Sequence, residues 1–142
     1  MTRRVLSARW AFGLALLAGC GAAEPSTTAS KLHDNEHLPA GDVDRGEALA
    51  TRNSCALCHG ADYAGSGFNP NITPASEGIG TWSDTQVVSA FRDGVDLQGA
   101  QLCSLMQRFA FSDQEAADVL AFLRSRAPVA KRATEACPGH GG

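Results

Sequence analysis

Cys55-Ala56-Leu57-Cys58-His59-Gly60 is the most informative stretch of the 142-residue chain. Two thiols three positions apart can add to the two vinyl groups of a haem as thioethers. The histidine that follows then lies under the iron, which is the attachment pattern of c-type haem. A bare Cys-x-x-Cys also serves as a redox dithiol or as half of a zinc site, but the adjoining histidine and the lack of a second such pair weaken both readings. The expected cofactor is one covalently attached haem c per chain, held by Cys55 and Cys58, with His59 as an axial iron ligand. At this length the prior is a single domain.

The flanking sequence is helical. Asp42 to Arg52 carries acids at its start, favourable beside a helix N-terminus, and places Val43, Gly46, Leu49 and Ala50 on one face. Gly46 inside a helix costs about 1 kcal/mol relative to alanine, so a close approach by another element is the expected reason for it. Ser83-Asp84-Thr85-Gln86 opens a second helix with a capping-box pattern, Val87, Val88 and Phe91 form its buried side, and Gly94 supplies the left-handed residue after it. Ser112-Asp113-Gln114-Glu115 opens a third in the same way, with Ala116, Val119, Leu120 and Leu123 as its stripe and Pro128 as its stop. No stretch alternates as a strand. The fold class expected is all-α, about three to five helices wrapped around the haem.

A haem iron takes a sixth ligand or keeps an open position. Met1 is expected to leave with an N-terminal signal segment, so Met106 is the only methionine available, 47 residues beyond His59 and just ahead of the last helix. Sulfur trans to histidine suits outer-sphere electron transfer, whereas an open site invites gas binding or peroxide chemistry. The plain alternative is that Met106 fills a gap in the core.

These features together resemble the class I c-type cytochromes, small all-helical mono-haem proteins. The resemblance covers residues 42 to about 127 and rests on the helix with Gly46, the Cys55–Gly60 motif, Met106 and the last helix with Phe122. It implies that Gly46 packs against Phe122 where the first and last helices cross. Pro70-Asn71-Ile72-Thr73-Pro74 and Gly78-Ile79-Gly80-Thr81-Trp82-Ser83 resemble the cytochrome subunits and domains that serve periplasmic quinoprotein and flavin dehydrogenases. By that likeness the Pro70 carbonyl accepts the imidazole N–H of His59, Trp82 donates its indole N–H to a haem propionate, and Asn71 and Thr73 contact the propionates. Each also has an ordinary reading, a turn proline, a core tryptophan and two turn residues. Those relatives commonly carry proline directly after the ligand methionine, where this chain has Gln107.

Of five cysteines, Cys103 and Cys137 remain once Cys20, Cys55 and Cys58 are assigned. In an oxidising compartment a disulfide is the natural pairing, closing a loop of about 35 residues worth ~4 kcal/mol in the chain-entropy model. Cys103 as a haem ligand or as a free thiol stays open as an alternative.

The N-terminus supplies the compartment. Met1 to Arg9 holds three arginines and no acid, Trp10 to Ala18 is too short to span a bilayer, and Leu17-Ala18-Gly19-Cys20 resembles a bacterial lipobox. The expected layout is a signal peptide over 1–19, a lipidated tether over 20–41, a haem domain over 42–130, and a tail over 131–142 tied back by disulfide. Cys20 would carry the lipid, placing the protein on the periplasmic face of a membrane, and Gly21 after it favours the outer membrane in a Gram-negative host. The tether reaches roughly 25 Å, and His33 and His37 within it, like His140 in the tail, read as solvated residues. Removing Arg3, Arg4 and Arg9 leaves nine basic against fifteen acidic residues, which argues against a nucleic-acid partner. The function expected is a membrane-tethered electron carrier, not an enzyme, passing single electrons between redox proteins such as a dehydrogenase, an oxidase or another cytochrome. A fixed subunit of a dehydrogenase or oxidase complex, a five-coordinate gas-binding or peroxide-reducing haem protein, and a cofactor-free disulfide-rich lipoprotein are the alternatives.

Overall fold

A computed structural model describes residues 37–138. The signal sequence, Cys20, His33 and His140 lie outside these residues. Four helices follow in order: α1 (Val43–Arg52), α2 (Cys55–His59), α3 (Asp84–Arg92) and α4 (Asp113–Ser125). Among the described residues there is no strand, only isolated bridges at Ser66–Asn69 and Val95–Gln101. None of these helices is long and apolar enough to cross a membrane.

Helices α1, α3 and α4 begin where a side chain satisfies a free amide of the first turn. Asp42 accepts from the Arg45 amide at the start of α1. Ser83 with Gln86 and Ser112 with Glu115 form reciprocal capping boxes on α3 and α4. After α3, the Asp93 and Gly94 amides both donate to the Ser89 carbonyl, and Gly94 takes the left-handed conformation, φ +71°.

Helices α1 and α4 cross at Gly46. A Cβ there would stand 1.9 Å from the Asp118 carbonyl oxygen and 2.7 Å from Phe122 Cβ, so hydrogen is the only substituent the crossing admits. Beside it the buried Asp118 carboxylate gathers the Asp42 amide (2.8 Å), Arg45 Nε (2.8 Å), Arg45 Nη2 (3.0 Å) and Gln114 Nε2 (2.9 Å). Arg45 holds this carboxyl at about 2, well below the usual range, and burial acts in the opposite direction. Leu49, Ala50, Phe122 and Leu123 fill the core against Val87, Val88 and Phe91 of α3.

Three boundaries differ from expectation. Val43 is exposed, because the stripe of α1 that meets α4 is set by Gly46, Leu49 and Ala50. Residues 38–41, expected in the tether, pack on α4: Leu38 joins the core, Gln114 donates to the Ala40 carbonyl, and a Cβ on Gly41 would lie 2.0 Å from the Ala117 oxygen. The segment after Pro128 is tied back as expected, but its contacts with the domain begin already at Val129. It lies along residues 65–73 through several hydrogen bonds and is joined at Cys137 to Cys103 by a disulfide, Cα to Cα 5.8 Å.

Candidate functional site

Ser54 enters α2 in the left-handed region (φ +58°), and the five-residue helix then presents its two cysteines and histidine to one apolar cavity of about 360 Å³. The volume falls in the ~300–1,000 Å³ range of small-molecule sites. Its wall is drawn from the whole fold: Cys55, Cys58 and His59, Phe68, Pro70 and Ile72 of the following loop, Val87 and Phe91 of α3, Leu102, Met106, Phe109 and Phe111 of the next loop, and Val119 and Leu123 of α4.

Cys55 and Cys58 are in no disulfide. Burial pushes the Cys55 thiol up, opposite to the depressed value a redox dithiol needs. His59 is buried, and its Nδ1 lies 2.8 Å from the Pro70 carbonyl oxygen. With Nδ1–H donated there, Nε2 is left for a metal and the ring orientation is fixed. Burial also lowers the His59 pKa, so the ring is neutral, the form that ligates.

The backbone after His59 is bent tightly to bring Pro70 into place. The Gly65 amide donates to the His59 carbonyl (2.7 Å), the Tyr63 amide to Gly60 (3.0 Å) and the Ile72 amide to Tyr63 (2.9 Å). Tyr63 sits at φ +61°, which costs about 1–2 kcal/mol for an L-residue. Its ring compensates by meeting Phe122 edge-on at 5.3 Å and lying under the Arg126 guanidinium at the same distance.

Met106 is half-buried in the wall that Cys55, Cys58 and His59 also line. Its amide donates to the Cys103 carbonyl at 3.0 Å, closing a turn. Where proline was expected after the methionine, Gln107 faces the cavity and Arg108 takes over the bracing. The Arg108 guanidinium donates to the Met106 carbonyl and approaches those of Gly94 and Leu102 at 3.4 and 3.5 Å. It lies flat on Gly94, with Nε 1.6 Å from where a Cβ would be.

Asn71 and Thr73, expected at the propionates, are not part of the cavity wall. Both are buried, and their polar groups are already engaged: Asn71 Oδ1 accepts from the Thr73 amide and hydroxyl, Asn71 Nδ2 donates to the Val129 and Lys131 carbonyls, and Thr73 Oγ1 accepts from the Val129 amide. Trp82 is likewise absent from the wall. It packs half-buried against the core, and its carbonyl accepts from Arg124 at 2.6 Å. A second, shallower cleft of about 310 Å³ beneath residues 38–41 has Asp84 and Arg124 at its rim, already paired at 2.9 Å.

Two unpaired thiols and a neutral, oriented imidazole at one end of an apolar cavity fit a covalently bound haem, and among the described residues no cluster of three or more His, Cys, Asp or Glu is placed to hold another metal. No protein of curated function matches the chain. Residues 43–127, from the first residue of α1 to two beyond α4, match the family model for cytochrome c. Cys55, Cys58 and His59 fit the covalent attachment by which that family binds haem c, and the chain belongs to the cytochrome c family.

Proposed function

We propose that the protein is a membrane-tethered single-haem electron carrier whose iron takes His59 and Met106 as its axial ligands. The observation that carries the ligand assignment is the composition of the cavity wall. Haem iron is ligated in proteins by histidine, cysteine, methionine or tyrosine. Among the described lining residues only Met106 offers such an atom besides His59, the two attachment cysteines and Cys103, and Cys103 is bonded to Cys137.

The bound haem supplies a one-electron couple, and the chain supplies its surroundings. Pro70 fixes the imidazole, and Ile72, Phe91, Val119 and Leu123 keep water from one side of the cavity. Leu57 and Leu105, also in the wall, are 84% and 60% exposed, giving the cavity an apolar rim open to a docking protein. Interfaces of transient electron carriers are small, and the net acidic charge acts mainly on the encounter rate. The same rim supports a second reading, a fixed subunit of a dehydrogenase or oxidase complex, which gel filtration of the native membrane extract distinguishes by its size. Lipidation of Cys20 and tethering to the periplasmic face follow from the lipobox resemblance, and a Cys20→Ser variant is expected in the soluble fraction.

The test of the central reading is the ferric absorption spectrum of the mature holoprotein and of Met106→Ala, each also reduced and exposed to carbon monoxide. The wild type is expected to show the weak long-wavelength sulfur-to-iron band and to resist carbon monoxide, and the variant to lose the band and bind the gas. A wild type that binds carbon monoxide readily overturns the reading in favour of gas binding or peroxide chemistry.

A further inference from the structure

The loop that carries Met106 has little holding it from within. Between Gly94 and Phe111 there is no helix, and from Cys103 to Arg108 the only backbone hydrogen bond is the one closing the Cys103–Met106 turn. Segments with so few internal bonds open at low cost.

Besides the Arg108 brace on the Met106 carbonyl, what ties this loop to the His59 side is the chain end. Asn71 Nδ2 donates to the carbonyls of Val129 (2.7 Å) and Lys131 (3.0 Å), and the Lys131 ammonium donates to the Gly65 carbonyl. Further along, the Thr134 and Glu135 amides both donate to the Gly67 carbonyl, at 2.9 and 3.3 Å. Two residues later Cys137 is bonded to Cys103. Residues 129–137 therefore form a strap. One end is seated on the loop whose Pro70 carbonyl receives the His59 imidazole, and the other is covalently fixed three residues ahead of Met106. The seat is a polar cluster with Asn71 3% and Thr73 0% exposed, and polar groups so buried are costly to leave without partners.

We propose that this strap, through the Cys103–Cys137 disulfide, is a positioning device for the sixth ligand: it ties the Met106 loop to the loop supporting His59 and suppresses the state in which Met106 leaves the iron. The inference rests on the His59–Met106 reading. Opening the disulfide breaks one S–S bond and forms two thiols: a phosphine reductant gives two electrons and becomes the phosphine oxide, and one water supplies its oxygen and the two thiol protons. The strap's seat at Asn71 stays, but its hold on Cys103 is lost.

The experiment uses the ferrous mature holoprotein and measures its carbon monoxide association rate, alongside amide exchange across residues 100–106. Three samples are compared: the intact protein, Cys103→Ser/Cys137→Ser, and intact protein opened by a phosphine and then alkylated, which avoids any failure of the variant to fold. Minor conformers of this kind are populated at roughly 0.1–10%, so losing the tie is expected to speed association about tenfold and to accelerate exchange in the loop. The ferric sulfur-to-iron band is expected to weaken, while the haem stays covalently attached. A disulfide that only adds global stability would lower Tm and leave the association rate unchanged far below it, and that result overturns the inference. An intact protein that already lacks the band and takes up carbon monoxide at once overturns the ligand reading itself, and the strap's role with it.

Discussion

Replacing Gly46 with alanine is expected to lower Tm of the holoprotein by roughly 8–16 °C. The added carbon would stand 1.9 Å from the Asp118 oxygen, 2.5 Å from its carbonyl carbon and 2.7 Å from Phe122 Cβ. Two of these three neighbours are backbone and the third belongs to a side chain 1% exposed, so none is a flexible end that can swing away. Helices α1 and α4 must separate. Overpacking of this kind costs about 1–3 kcal/mol, and the upper end applies because the displaced contacts include the Asp118 cluster. Alanine returns about 1 kcal/mol of helix propensity, leaving a net loss of about 2 kcal/mol. In a domain of this size each kcal/mol shifts Tm by about 4–8 °C. Far-UV circular dichroism of the holoprotein during a thermal scan measures it. A Tm equal to or above that of the wild type would show that the helices are not pressed together at Gly46 and would refute the reasoning.

Other outcomes follow from the same contacts. Asp118 titrates near 2 in the folded chain and near 4 when unfolded, so its ion pair stabilises the protein above that range and is lost as pH falls from about 4 towards 2; Asp118→Asn is expected to flatten that part of the Tm–pH curve and lower Tm at neutral pH. Arg108→Ala is expected to accelerate amide exchange at 102–106 with a Tm loss of only about 1 kcal/mol equivalent, and lysine should not restore it because one ammonium cannot replace the guanidinium fork. Ser112→Ala removes one half of the α4 capping box and should cost about 1 kcal/mol in a denaturant titration. A haem-free chain, made as Cys55→Ala/Cys58→Ala, is expected to melt without cooperativity, since the apolar wall of a cavity of about 360 Å³ loses its partner atoms; a sharp calorimetric transition would contradict this.

The helices and the attachment motif were legible because their signals are local. A capping box spans four residues, Cys55 to His59 five, and the cost of Gly46 in a helix already asks for a neighbour such as Phe122. The strap's tie between Cys103 and Cys137 was legible, but its seat was not. It is built from single hydrogen bonds between residues 58 and 60 apart in sequence, Asn71 with Val129 and Lys131, and carries neither helical nor strand periodicity. Asn71 and Thr73 were open to two readings for the same reason. Asn71 and Thr73 sit beside the motif's Pro70 and are polar, which suits a haem edge, but a buried amide that can bridge two loops is equally polar in sequence. Arg108 left no signal either, since its role depends on Gly94 passing beneath it, fourteen residues away. The one available hint was the missing proline at Gln107, which asks what else stiffens the turn.

The cluster around Asp118 also bears on mechanics. Any pull on the chain N-terminal to residue 37 enters the body through Leu38 to Asp42. There the Asp42 amide and Arg45 guanidinium meet the Asp118 carboxylate, Gln114 holds the Ala40 carbonyl, and Gly41 is pressed on Ala117. Load is therefore handed to the middle of α4 before it reaches α2 or the Met106 loop. A pull on that end is taken first by α4, with the haem-attachment helix and the Met106 loop lying beyond the anchor.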